Sequence, residues 1–199
     1  MFTGMNLANL REELSDKTAA MTRVEALASR RALPPSGIYS WWFDDLHDLV
    51  PHQGTVADGA WAMLYVGISP ARPASRSNLG ARLSQHLSLN AEGSTLRLTL
   101  GVLLGDRLGL DLRRVGSGKR LTFHCGEAKL TSWLDNHALV NVVRLNEPWR
   151  VEASVIDSFV LPLNLDHNAH YFGSTLAAMR STARQRARML PANPECCDY

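Results

Sequence analysis

Apolar residues at the start of the chain recur with the spacing of an α-helix. Over residues 6–31 this spacing predicts one or two helices, and Pro34 and Pro35 end them because proline has no amide hydrogen to donate. We expect residues 1–34 to form a helical accessory segment that lies outside the central sheet.

Three later segments have the composition of β-strands. Residues 37–43 (GIYSWWF), 62–68 (AMLYVGI) and 139–145 (LVNVVRL) are rich in β-branched and aromatic side chains. The polar residues 44–59 include proline and glycine and predict a long connection. A further short strand is expected near residues 121–124.

Helical spacing returns from Asn78 onward. Asn78 can cap a helix whose apolar face is formed by Leu79, Leu83 and Leu87. The leucines of residues 94–104 fit either period, and we favour a helix there. Three more helices are predicted over residues 126–137, 149–160 and 174–190. This alternation of strands and helices predicts an α/β fold.

The bulk composition excludes several classes of protein. With 199 residues, 45% of them hydrophobic and 20% charged, the chain is typical of one globular domain with accessories. No apolar run approaches the ~20 residues that a membrane helix needs. The N-terminus carries acids where a secretory signal would be apolar, and the three cysteines suggest no disulfide framework. We therefore expect a cytoplasmic protein.

Positive charge is clustered, although the formal net charge is only +2. Residues 59–91 contain no acid but carry Arg72, Arg76 and Arg82, and residues 168–194 contain four arginines and no acid. Clustered arginine is typical of phosphate binding. An alternative explanation is a general preference for arginine, since the chain has only three lysines.

Four motifs follow one another in an order that is typical of one enzyme family. In chain order they are Gly37-Ile38-Tyr39, Tyr65-Val66-Gly67, a helix with Arg82 and His86 one turn apart, and Glu152 followed by Pro162-Leu163-Asn164. Together they resemble the GIY-YIG nuclease family, with valine in the middle of the second motif.

The resemblance implies a fold and an activity. The fold is a small, largely antiparallel central sheet flanked by helices, with the nuclease domain over residues 35–170 and a basic helix and tail over residues 171–199. The activity is hydrolysis of DNA phosphodiester bonds, assisted by one Mg²⁺ or Mn²⁺ ion and by a tyrosine that activates water. The seventeen positions from Tyr65 to Arg82 resemble the insertions of family members that act as restriction endonucleases.

By the same resemblance, the catalytic site consists of Tyr39, Tyr65, Arg82, His86, Glu152 and Asn164. Glu152 would hold the metal ion through a carboxylate oxygen, the kind of ligand that Mg²⁺ prefers. Arg82 would grip a phosphate oxygen with its planar fork. One tyrosine, with Tyr39 favoured over Tyr65, would act as general base, and His86 would accept or relay the proton. Asn164 would hold the backbone or a water near Glu152.

DNA is the expected partner of the chain. We expect phosphate contacts from Arg72 and Arg76, and from Arg180, Arg184 and Arg188, which recur every four residues along one side of the C-terminal helix. This side is expected to face solvent. A domain with one site would need a homodimer on the DNA, or two successive nicks, to cut both strands.

Each site residue also has a simpler explanation. A tyrosine in a strand is often a half-buried packing residue, and the helix dipole would favour Glu152 near a helix N-terminus in any protein. Two other functions stay open: a nucleic-acid-binding module that kept the fold and lost turnover, and a protein-interaction domain with a tryptophan-rich surface. Residues 166–170 (DHNAH) are interpreted as a connection that touches DNA or flanks the active site.

Overall fold

The computed structural model of the protein describes residues 6–88 and 90–193. These residues form two compact units. The first consists of the chain up to Ser84 together with His137–Gly173, and the second consists of Gln85–Asn136 together with the chain from Ser174 onward. The second unit therefore interrupts the first in sequence, and this grouping differs from the boundaries expected at residues 34 and 170.

Strands and helices alternate along the described residues. The strands are β1 (Met21–Thr22), β2 (Gly37–Phe43), β3 (Val56–Asp58), β4 (Trp61–Ser69), β5 (Arg113–Val115), β6 (Arg120–Thr122) and β7 (Ala138–Arg144). The helices are α1 (Leu7–Ser15), α2 (Arg23–Ser29), α3 (Leu79–Ser88), α4 (Thr95–Leu103), α5 (Gly105–Leu108), α6 (Gly126–His137), α7 (Glu152–Asp157) and α8 (Phe172–Met189). None of the helices in this part of the chain is long and apolar enough to cross a membrane.

The sheet of the first unit has the strand order β1-β7-β2-β4-β3, and every neighbouring pair is antiparallel. β2 lies between β7 and β4, and all of its residues are buried. This arrangement confirms the α/β fold and the small antiparallel sheet. It also confirms the three strands that the composition predicted.

Two strands of this sheet were not predicted. β1 pairs Met21 with Val140 of β7, so the N-terminal segment contributes to the sheet, and the expectation that it lies outside was wrong. β3 forms within residues 44–59, which were expected to be a connection, and it pairs with β4. These strands have two and three residues, too few for an alternating pattern to be visible in the sequence.

Buried polar side chains of the sheet hold the end of α1. Leu10 and Leu14 of this helix are buried. The Ser40 hydroxyl donates a hydrogen bond to the Leu14 carbonyl at 2.8 Å, and the Asn141 amide donates to the Glu13 carbonyl at 2.6 Å. Carbonyls in the last turn of a helix have no partner within it, so these two bonds dock α1 on the sheet.

The second unit contains α4, α5, the β5–β6 hairpin, α6 and most of α8. The hairpin binds the chain that follows α8, because Arg113 donates to the Asn193 side chain at 2.8 Å and Arg114 donates to the Leu190 carbonyl at 2.7 Å. These guanidinium groups therefore satisfy polar groups at the end of the C-terminal helix.

Two expectations about the second unit were wrong. The arginine stripe of α8 does not face solvent throughout: Arg188 is exposed, but Arg180 and Arg184 are half-buried, since they lie toward the side of the helix that carries buried Leu176. The three cysteines suggested no disulfide framework, whereas Cys125 is disulfide-bonded.

Tryptophan contributes to the interior more than to the surface. Trp41, Trp42 and Trp133 are buried, and Trp61 and Trp149 are partly buried against the core of the first unit. The structure therefore removes the tryptophan-rich surface on which a protein-interaction function would have depended.

Candidate active site

The ring of Tyr39 lies against β4 at Gly67. Tyr39 is in the middle of β2, and the register of the sheet places it opposite Gly67. Its side chain is fully buried. A β-carbon added to Gly67 would come within 2.5 Å of the Tyr39 hydroxyl oxygen and within 2.6 Å of Cζ. Any side chain at position 67 would therefore displace the Tyr39 ring.

Gly37, the first glycine of the motifs, has a different packing constraint. It pairs with Ser69 of β4 and with Arg144 of β7, so strands lie on both sides of it. An added β-carbon would collide with the Val143 carbonyl and come within 2.7 Å of Leu79 Cδ1. Because Leu79 begins α3, the glycine allows the start of α3 to approach the sheet closely.

Tyr65 lies on the same face of the sheet as Tyr39. It precedes Gly67 by two residues in β4, and residues two apart in a strand project to the same side. Tyr65 pairs with Trp41 of β2 and, unlike Tyr39, is only half-buried. The sheet thus presents two tyrosines on neighbouring strands, one enclosed and one partly open to solvent.

α3 brings Arg82 to both tyrosines. The helix begins after Asn78, whose side-chain oxygen accepts a hydrogen bond from the Ala81 amide at 2.8 Å, and its predicted apolar face is fully buried. The guanidinium of Arg82 hydrogen-bonds the hydroxyls of Tyr39 and Tyr65. Burial by itself would lower the pKa of Arg82, but the two phenols raise it overall, so Arg82 stays a cation.

The same guanidinium influences the protonation of Tyr39. Burial raises the pKa of Tyr39 above its ordinary value, and the neighbouring charge of an ionised Tyr65 would raise it further. Arg82 acts in the opposite direction, through its charge and its hydrogen bond. Tyr39 is therefore a neutral phenol at neutral pH whose ionised form Arg82 stabilises.

Glu152, the first residue of α7, belongs to the same electrostatic cluster. The carboxylate is half-buried, and burial raises its pKa. The charges of His167 and Arg82 lower this pKa, whereas Asp166 raises it. All three neighbours act through charge rather than through a hydrogen bond.

These residues fit a hard divalent cation that is bound mainly by water and substrate. In the part of the chain that the structure describes, no three histidine, cysteine or acidic side chains lie together as a metal cage. Mg²⁺ commonly binds through one or two carboxylates and keeps waters and phosphate oxygens as its other ligands. The partly enclosed carboxylate of Glu152 is the group that could hold such an ion.

Asn164 acts on the site through the backbone of β4. Its buried side chain accepts a hydrogen bond from the Val66 amide at 2.9 Å and donates one to the Val66 carbonyl at 2.8 Å. Val66 lies between Tyr65 and Gly67, beyond the end of β3. Asn164 is therefore a positioning residue that fixes the strand carrying these two site residues.

His86 is tied to a different part of the structure. It lies one turn beyond Arg82 in α3, but its side chain is buried and Nδ1 lies 2.7 Å from the Ser94 hydroxyl oxygen. His86 is not among the groups that shift the pKa values of the other site residues. The structure thus places the His86 ring against Ser94, and the expected role of His86 as acceptor or relay of the proton stays a prediction.

Two residues outside the motifs shift the pKa of Glu152 through their charges. Asp166 and His167 are exposed, and His167 adopts a left-handed backbone conformation with φ of 57°. The Asn168 side chain fixes this connection by donating a hydrogen bond to the Asn164 carbonyl at 2.8 Å. The polar run DHNAH indicated only a connection that touches DNA or flanks the site, because charge on a loop does not reveal what it approaches.

The arginines expected to contact DNA lie in the connection between β4 and α3 and in α8. Arg72 and Arg76 are exposed in the connection between β4 and α3. Arg188 is exposed in the last turn of α8, and half-buried Arg184 and Arg180 lie one and two turns before it.

Comparison with known protein families gives a match over most of the chain. A family model described as the GIY-YIG catalytic domain matches residues 37–186, a range that contains all six residues of the expected site. Comparisons with curated proteins and with solved structures gave no match. The matched domain is a nuclease domain, and it covers more than half of the chain. This protein therefore belongs to the GIY-YIG nuclease family.

Proposed function

We propose that this protein is an endonuclease that hydrolyses DNA phosphodiester bonds with the help of one Mg²⁺ or Mn²⁺ ion. The observation that carries the proposal is the position of Arg82. Its guanidinium hydrogen-bonds both Tyr39 and Tyr65, and its charge lowers the pKa of Glu152. A base, a fixed cation and a metal-binding carboxylate are the groups that phosphodiester hydrolysis requires.

Tyr39 is the proposed general base. In its phenolate form, which the Arg82 cation stabilises, Tyr39 would take a proton from the attacking water and become a neutral phenol. The same guanidinium can hold a non-bridging phosphate oxygen, since its planar fork has several donors. Tyr65 is the alternative base, because it is bound by the same guanidinium and is partly open to solvent.

Glu152 is the proposed metal ligand. When bound, a divalent ion would stabilise negative charge on the phosphate and favour departure of the leaving oxygen. Glu152 would supply the carboxylate that holds this ion, and Arg82, whose charge lowers the pKa of Glu152, would supply a second positive charge for the phosphate. Asp166 adds negative charge near the same position, which also favours a bound cation.

The second unit is the proposed source of much of the DNA affinity. Residues 85–136 and 174–193 carry eleven lysines and arginines against five acids, whereas the rest of the described chain carries ten against twelve. Positive charge attracts the phosphate backbone independently of sequence. We assign phosphate contacts to Arg180, Arg184 and Arg188 in this unit, and to Arg72 and Arg76 in the first.

A nicking assay on supercoiled plasmid tests the activity. Cleavage is expected with Mg²⁺ or Mn²⁺, and none with EDTA or with the Glu152→Gln variant. A catalytically inactive DNA-binding module would show no metal-dependent nicking but would still shift DNA in a gel with EDTA. Mapping the ends would show whether both strands are cut, which would need two chains or two successive nicks by a single site.

A further inference from the structure

A buried ion pair joins two helices of the second unit. The side chain of Arg97, in α4, has no exposed surface, and its Nη2 lies 2.8 Å from Oε2 of Glu127, in the first turn of α6. Nε of Arg97 donates to the same carboxylate oxygen at 3.1 Å. The pair is therefore a well-formed, charge-assisted interaction with little access to water.

The rest of this carboxylate binds backbone. The other oxygen, Oε1, accepts hydrogen bonds from the amides of Ala91 at 2.8 Å and Phe123 at 3.1 Å. Glu127 thus connects α6 to the chain before α4 and to the chain after β6. Four hydrogen-bond donors hold this carboxylate in one position, and the carboxylate in turn holds the Arg97 side chain and the two backbone amides in place.

The same network holds the C-terminal end of α3. Nη1 of Arg97 donates to the His86 carbonyl at 3.4 Å, and Nδ1 of His86 is hydrogen-bonded to the Ser94 hydroxyl at 2.7 Å. The Ser94 oxygen also accepts from the Arg97 amide at 3.1 Å. His86 is therefore held at both its backbone and its ring by residues that begin α4.

Arg82 lies one turn before His86 in the same helix. A helix rises 1.5 Å per residue, so the two Cα atoms are separated by about 6 Å along a rigid element. A rotation or shift of α3 at His86 would be transmitted to Arg82, whose guanidinium has to reach two tyrosine hydroxyls at once. Displacements of about 1 Å in a catalytic group can cost ~10²-fold in rate.

We propose that Arg97, Glu127 and Ser94 are positioning residues for the catalytic helix, and that His86 is their point of attachment. In this arrangement His86 orients α3, the helix that carries Arg82. The proposal rests on the proposed role of Arg82. A buried pair of this kind contributes little net stability relative to apolar residues of the same size, which makes positioning the more informative property to test.

The inference can be tested with three variants, Ser94→Ala, Ser94→Thr and Glu127→Gln. For each we would measure single-turnover cleavage, DNA affinity in EDTA and thermal unfolding. We expect Ser94→Ala and Glu127→Gln to lower the cleavage rate at least about tenfold with DNA affinity within about twofold of wild type. Ser94→Thr keeps the hydroxyl and should restore most of the rate. Glu92→Gln is the matched control, because Glu92 is exposed and also accepts a backbone hydrogen bond in this unit, from Leu121 at 2.8 Å.

A double-mutant cycle with Arg82→Ala separates positioning from general loss of stability. If the network acts through Arg82, Ser94→Ala should cost almost nothing further in the Arg82→Ala background. The inference would be overturned if Ser94→Ala lowered the cleavage rate of the Arg82→Ala variant as much as it lowers that of the wild type. A wild-type rate in Ser94→Ala and Glu127→Gln would overturn it as well. Either result would leave the role of Arg82 intact. A fully active Arg82→Ala enzyme would instead refute the proposed mechanism, and the inference with it.

Discussion

The hydroxyl oxygen of Tyr39 lies only 2.5 Å from where a β-carbon of Gly67 would be. The first motif therefore contains a tyrosine that fits against the sheet only because the second motif ends in glycine. The two motifs are separated in sequence but form a single packing unit, since the register of β2 and β4 places these residues opposite each other.

Gly67→Ala should therefore damage the site directly. The methyl group would force the Tyr39 ring out of its position and lower the free energy of unfolding by about 1–3 kcal/mol. The cleavage rate should fall by more than the decrease in the folded fraction accounts for. Chemical denaturation and single-turnover cleavage measure the two effects. Gly93→Ala is a suitable control, because a β-carbon there would meet nothing closer than 3.9 Å. Normal cleavage by Gly67→Ala would contradict the proposed position of Tyr39.

Tyr39→Phe should lower the single-turnover rate by ~10²-fold or more while the protein stays folded. The ring and its contact with Gly67 remain, and only the hydroxyl that binds Arg82 is lost. Circular dichroism and DNA affinity in EDTA should be unchanged. If Tyr39→Phe is fully active and Tyr65→Phe is inactive, the base is Tyr65; full activity in both would exclude tyrosine as the base.

The pH dependence of cleavage should reflect the raised pKa of Tyr39. A general base acts in its deprotonated form, and below its pKa that form increases tenfold per pH unit. Because burial raises the pKa of Tyr39, the logarithm of the single-turnover rate should increase with a slope of about one between roughly pH 7 and 9, without a plateau. Tyr39→Phe should flatten the profile; an identical slope in that variant would remove Tyr39 from the proton transfer.

Glu152→Gln should abolish cleavage with DNA affinity nearly intact, since the carboxylate is assigned to the metal and serves the transition state. In EDTA the variant should also be slightly more stable than wild type at pH 7. The folded-state pKa of Glu152 is raised, so its ionised form opposes folding above that pKa, and the difference should vanish below pH ~4 where it is protonated. Thermal unfolding at pH 7 and pH 4 measures this; cleavage within a few-fold of wild type would exclude Glu152 as ligand.

Replacing Arg180, Arg184 and Arg188 by glutamine should weaken binding to all DNA sequences alike. Each lost phosphate contact should flatten the plot of log K against log salt concentration by about 0.9. Arg188 is exposed, so Arg188→Gln alone should flatten this plot by about 0.9, the value for one phosphate contact, without loss of stability. Arg180 and Arg184 are half-buried, so the triple variant should also lower Tm. An unchanged salt dependence in the triple variant would leave α8 without a DNA contact.

The motifs were readable in the sequence because each depends on local constraints. The aromatic and β-branched residues of β2, β4 and β7 specify strands, and Asn78 with its apolar positions specifies α3. These elements could therefore be predicted before any coordinates, whereas Tyr39, Tyr65, Arg82 and Glu152 were proposed as site residues from the resemblance to the family. The short strands β1 and β3 could not, since a few extended residues become a strand only when a partner lies beside them.

The sequence by itself determined the family, the main elements and the residues that meet around Arg82. Only the tertiary structure decided which side chains surround each of them. It buried His86 against Ser94, placed Asp166 and His167 near Glu152, and turned Arg180 and Arg184 partly inward. The physical reason is that helical and strand periods report which side of an element is buried, whereas the groups that meet that side come from distant parts of the chain and are fixed by packing and hydrogen bonding.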